Sequence, residues 1–302
     1  MTDMAKPRVK NIEKLLPGVI KNILLKNYTT FKIGGRAKYF LVAENKENLI
    51  SAIEAAKKVG LPFFILAGGS NILVSDKGFD GIVIKMQNTK YEIRNTKIKT
   101  GAGALLSYLA GSSFRAGLAG LEWAAGIPGT IGGAVRGNAG AFGGSIADRV
   151  EEVEIYDAKN ERFRILKNKD CLFAYRDSIF KKDKNLIIIS AVLKLKKGNK
   201  KEIAKKMKRC LNYRKKHQPL SFPSCGSVFV NPSDSSAREL ISKCGLRGKK
   251  IGQAQISEKH ANFIVNLGKA RASDVEKLIN LAKKKVKQKF GISLKEEIEY
   301  LG

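Results

Sequence analysis

Apolar and polar positions along the chain follow two periods, and the switches between them mark its elements. Tyr39–Glu44 reads as a strand. From Glu47 to Val59, Leu49, Ile50, Ile53 and Ala56 recur at helical spacing, and Gly60 and Pro62 predict the stop. Phe63–Ala67 is wholly apolar and reads as a buried strand, broken by Gly68-Gly69-Ser70-Asn71. Ile72–Val74 and Gly81–Met86 add two more strands, so the β-α-β order predicts an α/β or α+β first lobe. Val150–Asp157 and Arg162–Lys167 alternate around Ala158-Lys159-Asn160 as a hairpin does, and Leu186–Leu195 reads as a central strand. Lys196–Lys216 is a basic helix with Ile203, Met207 and Leu211 on one apolar face. Asp234–Lys243 is a short helix closed by Gly245. Ser273-x-x-Glu276 is a capping box opening a long helix that turns Val275, Leu278, Ala282 and Val286 inward and closes at Gly291. Residues before about Ile23 read as a polar lead-in, and no internal repeat is present.

Composition narrows the class. With 302 residues and 43% apolar content the chain holds two or three folded domains rather than a disordered tail. Lys+Arg at 57 against Asp+Glu at 27 gives a net charge of +30, which favours anionic partners without specifying a fold. The densest basic stretch, Lys196–Lys216, lacks interleaved aromatic residues, which favours a solvated helix joining two domains over a nucleic-acid arm. Cys171, Cys210, Cys225 and Cys244 are far apart and only His217 and His260 are present, so no metal site is expected and the thiols read as reduced. The N-terminal residues lack the apolar core of a signal peptide. Gly117–Val135 carries Glu122, Pro128 and repeated glycines, which suit no membrane helix. The expectation is a cytoplasmic protein without membrane insertion.

Five segments offer chemistry. Gly68-Gly69-Ser70-Asn71 leaves an apolar strand, where glycines let backbone N–H groups converge on a phosphate; alone, the tetrapeptide reads rather as an ordinary strand-exit turn. It matches neither dinucleotide fingerprint nor P-loop. Thirteen of the 29 glycines fall between Gly101 and Gly144, and Gly117–Gly144 suggests main chain wrapped round a flat or phosphorylated ligand, or a tightly packed turn-rich region. Arg176, in Ala174-Tyr175-Arg176-Asp177-Ser178, suits a carboxylate or a surface pair with Asp177. Ser227 stands between Gly226 and a β run and reads as a proton donor, a nucleophile or a strand-start hydroxyl; Cys225 beside it reads as a small apolar residue. In Leu294-Lys295-Glu296-Glu297-Ile298-Glu299-Tyr300, alternation places Glu297 and Glu299 on one face, with a solvated acidic edge as the simplest account.

Taken together and in order, these segments resemble the UDP-N-acetylenolpyruvoylglucosamine reductase (MurB) family. The resemblance also draws on Thr29–Arg36, Gly252–Ser257 and Lys259–Phe263, and it runs from about Asn22 onward. The short run between Ser178 and Arg214 matches the subgroup without a tyrosine-loop insertion, while Val230 and Gln253 depart from the family pattern. The resemblance implies an α+β fold: a two-lobed PCMH-type (vanillyl-alcohol-oxidase-like) FAD-binding region in lobes 1–85 and 86–197, then a C-terminal α+β substrate-binding domain over 198–302. It implies non-covalent FAD, NADPH as hydride donor and a UDP-sugar substrate, in a monomer that needs no nucleic acid. By the same resemblance Arg176 and Glu297 stabilise an enolate-like state and Ser227 delivers the proton. Gly68, Gly69, Ser70 and Asn71 hold the FAD pyrophosphate. Gly126, Pro128, Gly129, Thr130, Gly133, Asn138 and Ala139 line the flavin. Tyr175, His217, Asn231 and His260 lie near the UDP-sugar. Another FAD oxidoreductase of the same fold, or a basic nucleic-acid-binding protein, stands as the alternative.

Overall fold

The structure, a computed structural model, describes residues 12–302. Part of the expected polar lead-in, up to residue 11, lies outside the described residues. The remainder is already structured: a helical turn at Ile12–Leu15 precedes a strand. The first sheet draws on β1 (Ile20–Leu24), β2 (Arg36–Ala43), β3 (Phe63–Leu66) and β5 (Phe79–Met86), with β4 (Ile72–Val74) set apart from it. β1 pairs antiparallel with β2, and β2 and β3 flank β5 in parallel. Helix α1 (Lys46–Val59) makes the crossover between parallel strands. Asn45 caps it by accepting the Asn48 N–H, Gly60 ends it at φ 70°, and Leu49, Ala52, Ile53 and Ala56 are buried. In β3, Phe63, Phe64 and Ile65 are half-buried and Leu66 is buried, so this strand is less enclosed than its apolar run predicts.

The second sheet is antiparallel throughout. It contains β6 (Tyr91–Arg94), β7 (Lys97–Gly101), β8 (Val150–Asp157), β9 (Arg162–Lys167) and β10 (Leu186–Lys194) in the order β9-β8-β10-β7-β6. The hairpin and the central strand are where the alternation predicts them. The glycine-rich stretch between β7 and β8 contains α2 (Leu106–Arg115), α3 (Ile131–Arg136) and strands of two residues. One core runs from α1 through the second sheet.

Helix α4 (Lys200–His217) leads into the third unit. Its buried stripe is Ile203, Cys210 and Arg214, whereas Leu211 is 46% exposed, so the apolar face expected on Leu211 is rotated toward Cys210. Beyond it come β11 (Ser224–Ser227), α5 (Ala237–Lys243), β12 (Lys250–Ile251), β13 (Ala254–Ile256), β14 (Phe263–Asn266), α6 (Ala272–Phe290) and β15 (Glu299–Leu301). The antiparallel sheet β11-β14-β13-β12 packs against α6, whose Val275, Leu278, Ala282 and Val286 face inward as predicted. Its start differs from the expected Ser273–Glu276 box. Arg271 N–H donates to Asp274 at 3.1 Å, and Asp76, after β4, accepts from Ala272 and Ser273 N–H at 2.8 and 3.1 Å. A first-lobe carboxylate thus meets the positive end of a third-unit helix.

β15 pairs in parallel with β4 rather than with its own sheet. Leu73 of β4 joins the core of the third unit, and Leu301 of β15 joins the core of the first lobe. Among the described residues no helix is long and apolar enough to cross a membrane. None of their His, Cys, Asp and Glu side chains form a group of three or more that could hold a metal ion.

Candidate active site

A cavity of about 380 Å³ opens where the three units meet. One wall is main chain. The loop after β3 and the loop before α3 touch so closely that a Cβ on Gly68 would lie 2.7 Å from Gly129 Cα. Gly69 has φ +63°, and a Cβ there would sit 2.1 Å from the Tyr28 carbonyl. Glycine is required at both positions. Ser70 Oγ donates to Pro128 O at 3.3 Å and ties the two loops together. Lys85 donates from below to the Ala67 carbonyl, and burial lowers its pKa. Among the described residues, no carbonyl or side chain accepts from the N–H groups of Gly68, Gly69, Ser70 and Asn71.

The opposite wall is charged. Arg176 has φ 56°, a left-handed backbone that Lys181 supports by donating to the Arg176 carbonyl at 3.2 Å. Its Nε lies 3.1 Å from Glu297 Oε1 as an ion pair without hydrogen-bond alignment, and both side chains are largely buried. Asp177, the simpler partner, instead lies 3.5 Å from Lys182. Burial pushes the Glu297 carboxyl above the usual range, against the pull of Arg176 and Lys181. Arg136 holds Glu299 at 2.8 Å and also donates to the Phe180 carbonyl. Glu297 and Glu299 therefore share the cavity face, as alternation predicts, although the regular strand is confined to Glu299–Leu301. They form a half-buried, paired wall rather than a solvated acidic edge. Glu296 points away, toward Lys283 at 2.7 Å and Tyr300 Oη at 2.5 Å. Burial pushes Glu296 up, but those two bonds outweigh it and leave its pKa low.

Ser227 lines the same cavity at the end of β11, not at the start of a strand. Its neighbourhood is fixed by Asn262, which accepts from Phe229 N–H at 2.9 Å and donates to Phe229 O at 2.8 Å. Glu297 N–H in turn donates to Val228 O at 2.8 Å, placing the acid beside the serine segment. Cys225 is buried as a small apolar residue, and burial pushes its thiol up to about 12.

Of the residues singled out from sequence, Gly68, Gly69, Ser70, Asn71, Gly126, Pro128, Gly129, Thr130, Gly133, Ala139, Arg176, Ser227 and Glu297 all line this cavity. Five do not. Asn138 spends its amide on the Ala174 carbonyl at 2.8 Å and the Ala147 N–H at 3.2 Å. Tyr175 is 63% exposed beneath the Arg176 guanidinium. His217 packs on Tyr213, and Asn231 caps α5 by accepting the Ala237 N–H at 3.1 Å. His260 packs on Phe263, and burial, with the nearby Arg238 charge, lowers its pKa to about 4.

Sequence reasoning missed Arg136, Lys181, Arg214, Asn262 and Glu299 as a working set. Arg214 is 7% exposed and donates to the carbonyls of Ala125 at 3.1 Å and Trp123 at 3.2 Å beneath the Gly126 loop. Its signal was its place on the buried stripe of α4. A second, more open cleft of about 490 Å³ is lined by Lys167, Lys169, Lys194 and Lys196 and has neither the glycine loops nor the Arg176–Glu297 pair.

The main-chain wall suits a pyrophosphate, offering unclaimed N–H donors and no Cβ in the way. Residues 37–165 match the family model described as FAD binding domain, and residues 218–301 match that of UDP-N-acetylenolpyruvoylglucosamine reductase, C-terminal domain. The fold and the cavity thus define a PCMH-type FAD-binding protein with a dedicated C-terminal domain. Relatives named UDP-N-acetylenolpyruvoylglucosamine reductase are 44% identical in Caldanaerobacter subterraneus subsp. tengcongensis, over 92% of each chain, and 40% identical in Anoxybacillus flavithermus, over 99% of each. The crystal structure of UDP-N-acetylenolpyruvylglucosamine reductase (MurB) from Thermus caldophilus superposes with a TM-score of 0.82 at 38% identity, covering 93% of this chain and 98% of that one. The chain belongs to the UDP-N-acetylenolpyruvoylglucosamine reductase family, an oxidoreductase family, which sets aside the nucleic-acid-binding alternative and the other flavin oxidases of this fold.

Proposed function

We propose that this chain reduces the enolpyruvyl ether of UDP-N-acetylglucosamine to the lactyl ether, UDP-N-acetylmuramate, using Arg176, Ser227 and Glu297. When bound, FAD would relay hydride from NADPH to the enol-ether carbon distal to the carboxylate. Gly68, Gly69 and Ser70 would hold its pyrophosphate through main-chain N–H groups, and the Gly126–Thr130 loop, Gly133 and Ala139 would border its ring. Both histidines lie off the cavity, which supports a non-covalent flavin.

Addition of hydride at the distal carbon leaves negative charge on the carbon beside the carboxylate. Arg176 meets that charge with a guanidinium held in place by its left-handed backbone and by Lys181. Glu297 serves that charge only while it carries a proton, or as the orienter of another donor, since an ionised carboxylate would repel it; burial shifts its pKa in the direction of the protonated form. Ser227 gives its hydroxyl proton to the carbon; the alcohol is a weak acid, but a carbanion is a strong enough base to take it.

The observation that carries this reading is the convergence of Arg176, Ser227 and Glu297, from three separate segments, on one cavity whose other wall is bare main chain. Residues 1–85 and 86–197 would act as the flavin lobes and 198–302 as the substrate domain, working as a monomer in the cytoplasm in peptidoglycan synthesis. The test separates the two half-reactions. Ser227→Ala should leave flavin reduction by NADPH near normal while severely slowing reoxidation by substrate. Stopped-flow traces showing equal slowing of both would remove Ser227 from the proton-donor role.

A further inference from the structure

We propose that Asn71 is a positioning residue for Glu297, holding the acid-bearing segment against the loop assigned to the flavin pyrophosphate. The proposal rests on the catalytic reading of Glu297 given above and extends it. Asn71 Nδ2 donates to the Glu297 carbonyl at 3.0 Å across 226 residues of sequence. The Asn71 carbonyl accepts the Glu299 N–H, also at 3.0 Å. The parallel pairing of β4 with β15 starts one residue further on, with Ile72 opposite Glu299.

Glu297 itself precedes the regular strand, so the ladder alone does not hold it. Its N–H is fixed by Val228 O at 2.8 Å, and its carbonyl is fixed by the Asn71 amide. With both main-chain groups engaged, the direction of its side chain into the cavity is set. The division of labour in the loop is clear. Among the described residues nothing accepts from the main-chain N–H groups of Gly68 to Asn71, which leaves them to a ligand, whereas the Asn71 side chain is turned to the protein.

A neutral hydrogen bond adds only about 1 kcal/mol to stability. Its larger effect is geometric, because misplacing a reacting group by about 1 Å costs on the order of 100-fold in rate. Losing the tether also lets water reach the carboxyl. The charged groups around it are Arg176 and Lys181 directly, Arg136 and Glu299 two residues along, and Arg214 beyond Arg176, with the Cys225 thiol behind. Hydration weakens the burial effect while Arg176 and Lys181 stay close, so Glu297 should then ionise at lower pH.

The experiment uses full-length Asn71→Ala beside Glu297→Gln. Flavin content, flavin reduction by NADPH and single-turnover reoxidation by substrate are measured per bound flavin across pH. The Glu297 carboxyl is titrated in the flavin-free protein by infrared difference spectroscopy, its band identified by loss in Glu297→Gln. For Asn71→Ala the expected result is reoxidation slower by about 10- to 100-fold. Flavin reduction should change far less, and the carboxyl band should titrate at lower pH than in the unsubstituted protein. If Asn71→Ala does not fold, Asn71→Leu, which keeps roughly the size and lacks the N–H donor without adding a charge, reads the same quantities. Loss of flavin with unchanged reoxidation per bound flavin and an unmoved band would overturn the proposal and make Asn71 a phosphate ligand only. If Glu297→Gln itself reoxidises normally, the catalytic reading of Glu297 fails, and the band position still decides whether Asn71 tethers it.

Discussion

On one side of the cavity Gly68, Gly69 and Gly129 bring main chain against main chain; on the other, Arg136, Arg176, Lys181, Glu297 and Glu299 bring long charged side chains together from distant segments. The first wall has its geometry fixed by steric exclusion: a Cβ on Gly68, Gly69 or Gly129 would lie 2.7, 2.1 or 2.8 Å from its nearest neighbour. The second has its geometry fixed by mutual attraction and by main-chain hydrogen bonds, so it can shift while keeping its partners. A substitution in the first should therefore act through folding and flavin retention, and one in the second through rate and pH.

The largest effect expected is at Gly69. Gly69→Val places a branched side chain where its Cβ would be 2.1 Å from the Tyr28 carbonyl, at φ +63°. It should yield little folded protein and no yellow holoenzyme. A folded variant with full flavin would break the claim of steric exclusion. Gly226→Ala sharpens it: φ is +82° there too, but a Cβ would have nothing within 4 Å, so the cost should be about 1 kcal/mol of backbone strain in a denaturant titration.

On the charged wall, Glu297→Gln keeps an N–H donor and should slow reoxidation less than Glu297→Ala does. With Glu297 required in its protonated form and its pKa raised by burial, reoxidation should fall as pH rises through that pKa, and the limb should vanish in Glu297→Gln. Glu296→Gln faces the other way and should reoxidise normally. It should nonetheless lose about 1 kcal/mol of stability through its bonds to Lys283 and Tyr300. A crippled Glu296→Gln with a normal Glu297→Gln would show the strand register to be off by one.

The smallest effect belongs to His260, outside both walls. Its folded pKa, lowered to about 4, lies below the ordinary histidine value of 6.5, so the unfolded chain binds the extra proton between those values. The contribution is fully present above pH 6.5 and is lost as pH falls toward 4. Unfolding midpoints measured across that window should fall less steeply in His260→Gln than in the unsubstituted protein.

Most of the architecture was legible because periodicity carries it: the Asn45-to-Gly60 helix, the Val150–Lys167 hairpin and the inward face of α6 all follow from apolar spacing. The Gly117–Gly144 region was not, because two-residue strands have no period to read. In the site, alternation placed Glu296 opposite Glu297 and Glu299, and the family resemblance singled out Glu297 as the reactive acid. What sequence reasoning missed came from long-range pairing. Nothing local marks Asp76 as the cap of a helix about two hundred residues away, or Asn262 as the clamp on Phe229. His217, Asn231 and His260, singled out through the resemblance, lie off the cavity lining, where their side chains engage Tyr213, the Ala237 N–H and Phe263.

The parallel pairing of β4 with β15 also bears on the order of assembly. During synthesis domains tend to fold from the N-terminus as they emerge. Here β4 must wait for a partner more than two hundred residues downstream, with the Ser75 N–H unsatisfied until Leu301 O arrives at 2.8 Å. Until then β4 presents an open strand edge, a template for pairing with another chain. A nascent or truncated polypeptide lacking those last residues is thus exposed to aggregation at the very segment beside the glycine turn, and long-range closure of this kind is slow.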